Sequence, residues 1–145
     1  MKQNTIIVAQ GTANVGKSMT LSRLGRQLIT AGATTVDDVT KTDYSARLQY
    51  SSVTIGIQTY GDLEGWVAQG LQHFLNNSCD IIAIASKRYG ATARVIEEFA
   101  SVNNYRVIWS TPYRVWDGSI TDSDIKDYSA SHLKLMVDDI ISGSI

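Results

Sequence analysis

The sequence predicts an α/β fold, a three-layer sandwich in which a mostly parallel sheet of about five strands carries helices on both faces. Three observations predict it. Short β-branched or apolar runs alternate along the chain with segments whose apolar residues recur at helical spacing. The run Asp80-Ile81-Ile82-Ala83-Ile84-Ala85 is apolar without alternation, as in a central parallel strand covered on both faces. The first β-branched run stops at a glycine just ahead of a helical pattern, where the chain must turn sharply. At 145 residues the chain is expected to form a single domain, residues 1–145, around one layered core.

The first strand is expected over Thr5–Gln10, ending at Gly11. From residue 17 to about residue 31, Met19, Leu21, Leu24, Leu28 and Ile29 recur at helical spacing, and Gly32 is the natural stop. Residues 33–43, rich in Thr and Asp, read as a loop or as a short strand around 35–39. Strands over 46–50 and 53–59, parted by Ser51-Ser52, suggest an antiparallel hairpin, with a plain loop into one strand as the alternative. The second run closes on Tyr60-Gly61-Asp62. A helix over 63–75 then presents Leu63, Trp66, Val67, Leu71, Phe74 and Leu75 on one face.

After the strand at 80–85, polar Ser86-Lys87-Arg88-Tyr89-Gly90 leads into a helix over 92–102. A second buried strand is expected over 105–109, broken by Ser110-Thr111-Pro112. The last helix, over 122–141, carries Ile125, Tyr128, Leu133, Met136, Val137 and Ile140. This alternation implies parallel strands joined by right-handed crossovers. The cleft then lies at the carboxyl ends of the strands, where Gly11, Asp62, residues 86–90 and residues 110–113 fall.

Composition excludes several classes. Thirteen basic residues stand against fourteen acidic ones, and no run of like charges exceeds a pair, so the chain lacks the footprint of a nucleic-acid groove. The single cysteine, Cys79, rules out an internal disulfide, reads as a small core residue and fits a reducing compartment. The opening Met1-Lys2-Gln3-Asn4 leads into too short an apolar run for a signal peptide, and no stretch approaches the roughly 20 apolar residues of a membrane span. A cytoplasmic protein with no membrane partner is expected.

Residues 11–18, Gly11-Thr12-Ala13-Asn14-Val15-Gly16-Lys17-Ser18, satisfy Gly-x-x-x-x-Gly-Lys-Ser in full, between a strand and a helix. Gly11 and Gly16 let the backbone bend around an anion with no Cβ in the way, and the N–H groups at the helix start point at a phosphate. Lys17 adds a positive charge for the β- and γ-phosphates, and the Ser18 hydroxyl is placed to ligate Mg2+. On these residues, and on its order of strands and helices, the chain resembles the P-loop NTPase superfamily. The resemblance implies ATP or another nucleoside triphosphate, with Mg2+, bound at Gly11, Thr12, Ala13, Asn14, Val15, Gly16, Lys17 and Ser18. Thr12 stands where the deviant-motif ATPases place a second lysine, which speaks against a partition-type ATPase.

The superfamily also implies an acid at the end of a strand next to the first one. Asp62 is the leading candidate. The piece Gln58-Thr59-Tyr60-Gly61-Asp62 resembles the Asp-x-x-Gly-Gln segment of small GTPases, with Gln58 where the metal-associated Asp belongs. Asp62 is therefore open to three roles: water activation, Mg2+ contact, or capping of the helix that follows. Asp80 begins its strand and falls on the far side of the sheet. Asp37, Asp38 and Asp43 read as a solvated acidic loop or as acceptor-binding acids of a small-molecule kinase.

A cation facing the γ-phosphate would stabilise transferring charge, and Arg88 is favoured for it among Lys87, Arg88 and Arg94, with a partner-supplied arginine as the alternative. The guanine-reading segment Asn-Lys-x-Asp is missing, so adenine is the expected base, with Tyr113, Arg114 or Trp116 to stack on it. His73 and His132 have no ligand-spaced partner and give zinc chemistry no support. Taken together, Lys17, Asp62 and Arg88 are the expected catalytic residues of a Mg2+-dependent ATPase. The alternatives are a phosphotransferase acting on a small-molecule phosphate acceptor, and a nucleotide-dependent interaction module with little turnover. A protein partner or a homo-oligomer is compatible with the sequence, which specifies neither.

Overall fold

A computed structural model describes residues 1–11, 16–115 and 117–145. Nine elements follow in order: β1 (Thr5–Gln10), α1 (Lys17–Thr30), β2 (Ser45–Tyr50), β3 (Val53–Gln58), α2 (Glu64–Asn76), β4 (Ile81–Ser86), α3 (Ala91–Asn103), β5 (Arg106–Ser110) and α4 (Asp122–Ser142). The strands form one sheet in the order β2-β3-β4-β1-β5. β3, β4, β1 and β5 run parallel, and only β2 is antiparallel, paired with β3 from Ser45 opposite Gln58 to Tyr50 opposite Val53. Ser51 and Ser52, with φ of 47° and 69°, make the two-residue turn whose twist matches a hairpin.

The apolar runs are buried because each supplies both faces of the sheet. Along β1, Ile7 and Ala9 face Leu21, Leu24 and Leu28 of α1 and Leu133, Val137 and Ile140 of α4. Ile6 and Val8 face Val67, Leu71 and Phe74 of α2 and Ile96 and Ala100 of α3. Successive strand side chains point to opposite faces, so the unbroken runs of β1 and β4 require a helix layer on each side. The result is the expected three-layer α/β sandwich. Among the described residues no helix is long and apolar enough to cross a membrane.

Three local expectations differ from what is observed. The strand at 105–109 was expected to be buried, but β5 is an edge strand paired only with β1, and all five of its residues are partly exposed. Leu63 and Trp66 are not on the inner face of α2, being 53% and 46% exposed; the helix starts at Glu64 and buries Val67, Gly70, Leu71 and Phe74. Tyr128 likewise faces outward on α4. Residues 33–43 form no named strand. They run beside β2, touching it through a lone bridge from Thr34 to Gln49 and through Asp37 Oδ2, which accepts from the Arg47 N–H at 2.9 Å.

The connections leaving β1 and β4 turn to opposite faces, since α1 packs on one layer and α3 on the other. The carboxyl ends of β1 and β4 therefore form a switch point, the place where an open α/β sheet leaves a crevice.

The density of the α2 layer is testable at Gly56 of β3. A Cβ there would stand 2.6 Å from the Phe74 ring, so Gly56→Ala is expected to cost about 1–3 kcal/mol in urea unfolding. Gly65, in the first turn of α2, has nothing within 4 Å of such a Cβ, so Gly65→Ala should be neutral or gain up to about 1 kcal/mol.

Candidate functional site

Chain reversals at both ends of the crevice depend on glycine. Gly11 leaves β1 with φ of 144°, and Gly16 enters α1 with φ of 81°, backbone shapes that a side chain resists. Gly16 is the N-cap of α1 and offers no side-chain acceptor, so the first N–H groups of the helix have no cap of that kind. Next to it Lys17 is only 5% exposed. Its Nζ donates to Asp62 Oδ1 at 2.8 Å and to the Ser86 carbonyl at 3.4 Å. The same Ser86 carbonyl, at the end of β4, accepts from the Gly11 N–H at 3.2 Å. A buried ammonium has thus been given one charged and one neutral acceptor, as burial of a charge demands.

Asp62 was expected on a strand next to β1. Instead β4 lies between β3 and β1, and the acid reaches Lys17 by a different route. After β3 the backbone passes across the end of β4, so close that a Cβ on Gly61 would overlap the Ala85 carbonyl. The absence of a side chain at residue 61 allows Asp62 to arrive over β1. Its carboxylate is spent on Lys17; the N-cap of α2 is Leu63, which makes no side-chain cap bond, so capping is not what Asp62 does.

Ser18 is tied to a second group of residues. Its hydroxyl donates to the Thr59 carbonyl at 2.8 Å. Thr59 is fully buried; its own hydroxyl donates to Asp43 Oδ1 at 3.1 Å and accepts from the Tyr44 N–H at 2.9 Å. Asp43 therefore stands one residue removed from Ser18, a link that the Thr- and Asp-rich segment did not reveal. The Tyr44 hydroxyl fixes this corner by donating to the Ser22 carbonyl at 2.8 Å, and burial pushes its phenol up to about 12, so it stays a neutral donor.

Gln58, standing where an acid was sought, does not face the crevice. Its Nε2 donates to the Tyr60 and Trp66 carbonyls at 3.1 and 3.0 Å, and its head packs where a Cβ on Gly70 would lie, so it fastens β3 to α2. Asp80 caps the amino end of β3 through the Thr54 N–H at 2.9 Å, on the far side as expected. Asp38 accepts from Thr40 within its own loop. Among the described residues no group of three or more His, Cys, Asp and Glu side chains gathers as a metal site. Burial pushes the Cys79 thiol up to about 12, which leaves it an inert core residue.

Gly11, Gly16, Lys17, Ser18 and Asp62 are therefore brought together; Thr12, Ala13, Asn14, Val15 and Trp116 lie outside the described residues. Arg88 is exposed, its guanidinium 5.5 Å from the centre of the Tyr89 ring, and Lys87 and Arg94 are exposed as well. Tyr113 stands apart, 45% exposed, with its ring stacked on His132 at 5.7 Å and its hydroxyl hydrogen-bonded to His132 Nδ1. Beside it lies a cavity of about 110 Å³ lined also by Thr20, Ser110 and Ser129, where the buried Thr20 hydroxyl has no hydrogen-bond partner among the described residues. Set against family models, curated proteins and solved structures, the chain matches none of them.

Among the described residues Asp62 is the ion-pair partner of Lys17, and another anion is expected to be able to take its place. Asp62→Ala should destabilise the chain by roughly 1–3 kcal/mol, the range for stranding a buried donor. Added pyrophosphate should then raise the melting temperature of Asp62→Ala more than that of the parent, as read by calorimetry.

Proposed function

We infer that the chain is a P-loop nucleoside-triphosphate-binding protein, and that it binds and hydrolyses ATP with Mg2+. The observation that carries this reading is the Lys17 ammonium. It is 5% exposed, sits at the start of α1 directly after Gly16, a glycine of positive φ that gives the helix no side-chain cap, and is held by the carboxylate of Asp62. A lysine buried at a helix start whose N-cap residue offers no side-chain acceptor is suited to an anion, and phosphate is the anion that the Gly-x-x-x-x-Gly-Lys-Ser spacing fits.

The residues present also fit a divalent cation. Ser18 offers a hydroxyl, Asp62 a carboxylate, and Asp43 a second carboxylate behind Thr59. In this reading Lys17 and the N–H groups of Gly16 and α1 hold the phosphates, and Ser18 with Asp62 holds Mg2+ or the water around it. Mg2+ would neutralise charge on the phosphates. Tyr113 is the proposed contact for the base, and adenine is favoured because no guanine-reading segment is present.

Hydrolysis is preferred to phosphoryl transfer because the acids proposed for an acceptor are already engaged: Asp37 on the Arg47 N–H and Asp38 on Thr40. Arg88, exposed on Tyr89, must move to meet a phosphate, so the cation that completes the site is either a repositioned Arg88 or an arginine from a partner. A cytoplasmic location belongs to the same proposal.

Purified chain with Mg2+ and γ-labelled ATP, with and without a pool of nucleosides and nucleotides, tests this reading. Phosphate release that needs no acceptor is expected. Label transfer would instead identify a phosphotransferase, and tight binding with neither would identify a nucleotide-sensing module. Lys17→Ala is expected to weaken ATP binding by about a hundredfold, the scale of a lost charge-assisted contact. Binding of ATP by Lys17→Ala equal to that of the parent would refute the proposal.

A further inference from the structure

A second lysine reaches the start of α1 from the opposite end of the chain. Lys126, on α4, lays its stem against Gly16: a Cβ built on that glycine would overlap Lys126 Cε and would stand 3.2 and 3.4 Å from Cδ and Cγ. The ammonium, one bond beyond Cε, is thereby carried to the residue that immediately precedes Lys17. Helix α4 is fixed in this position by Arg23 of α1, which donates to Ser123 Oγ at 3.1 Å, to the Ser123 carbonyl, and to Asp127 Oδ1 at 3.2 Å. The placement of Lys126 follows from contacts on both sides of it in the helix.

The charges around Lys126 leave it available. Three side-chain ion pairs form among the described residues, Lys17–Asp62, Arg23–Asp127 and Lys134–Asp138, and Lys126 is in none of them. Its sequence neighbour Asp127 is held by Arg23, and Asp122 and Asp124 lie in the exposed first turn of α4. Asp62, the carboxylate nearest to Lys17, is spent on that lysine. The Lys126 stem meets Gly16, the residue before Lys17, while the Asp62 carboxylate pairs with Lys17, so Lys126 adds a positive charge beside the start of α1 that none of the three ion pairs offsets. Like charges brought close repel unless an anion is shared between them.

We propose that Lys126 is a phosphate-binding residue, a second cation that α4 supplies to a polyphosphate held at the start of α1. The proposal rests on the phosphate-binding reading of Gly11 to Ser18. It adds that the site is assembled from both ends of the chain and that its affinity rises with the negative charge of the ligand. Gly16 has a further role in it: besides its positive φ, it leaves the space through which the Lys126 stem passes, so the glycine serves the α4 lysine as well as the turn.

The test measures binding of MgATP, MgADP and pyrophosphate to the full chain and to Lys126→Gln, Lys126→Arg and Lys17→Ala, with circular dichroism to verify that each is folded. Lys126→Gln removes the charge and shortens the side chain by one methylene. It is expected to weaken MgATP and pyrophosphate by about tenfold, and MgADP by less. Lys126→Arg should restore most of the loss. If Lys126→Gln binds MgATP as the parent does while Lys17→Ala has lost it, the role of Lys126 is refuted and the phosphate-binding reading stands. If the parent itself binds neither MgATP nor pyrophosphate, both are refuted.

Discussion

β4 separates β3 from β1, so an acid at the end of β3 must cover two strand spacings, about 10 Å, before it meets a lysine at the start of α1. The chain covers that distance by lying on the carboxyl end of β4, and it can lie there only because residue 61 has no side chain to meet the Ala85 carbonyl. Everything at the crevice depends on this crossing. It delivers the Asp62 carboxylate to a lysine that is otherwise buried with one long contact to a carbonyl. It also brings Thr59, just before it, against Ser18, and through Thr59 it brings Asp43. Ser86, at the end of the strand being crossed, returns the arrangement to β1 by accepting from Gly11.

The parts of the fold governed by local rules were legible in the sequence. The β-branched run of β1, the helical spacing of α1 and the Ser51-Ser52 turn each encode their conformation within a few residues. The strand order was not legible, because nothing in residues 53–62 states which strand will stand between them and β1. β5 illustrates the same limit: Val107, Ile108 and Trp109 are as apolar as a central strand, and only the absence of a neighbour on one side makes it an edge. At the site, Lys17 and Ser18 could be named from the motif spacing, and Asp62 from what the resemblance to P-loop NTPases implies. Asp43 could not be singled out, since an acid among Thr and Asp residues looks solvated until the buried hydroxyl of Thr59 is seen to point at it. Lys126 left no local trace either. Its partner in space is a glycine more than a hundred residues earlier, and contacts of that range are set by helix packing.

Two devices hold the crevice in shape. On one side, Tyr44 ties the approach to β2 to the carbonyls of Leu21 and Ser22, with Gly25 leaving room for its hydroxyl. On the other, Arg23 ties the first turns of α4 to α1. Both anchor to α1, the helix that begins with Lys17, so the orientation of that helix fixes the distances among the lysines, Ser18 and the acids. In the proposed reading, this rigidity preorganises the phosphate contacts, and Asp62 is the one charged group that has to give way or turn when a phosphate reaches Lys17. Preorganised charge of this kind is the main resource a phosphoryl site has.

The central claim is that Lys17 and its surroundings form a binding site for a chain of phosphates. Calorimetric titration of the purified chain with MgATP, and in parallel with MgAMP, tests it most directly. The account predicts saturable binding of one MgATP per chain and far weaker binding of MgAMP, because the affinity resides in the phosphates beyond the first. Absence of saturable MgATP binding, or equal affinity for the two nucleotides, would contradict it.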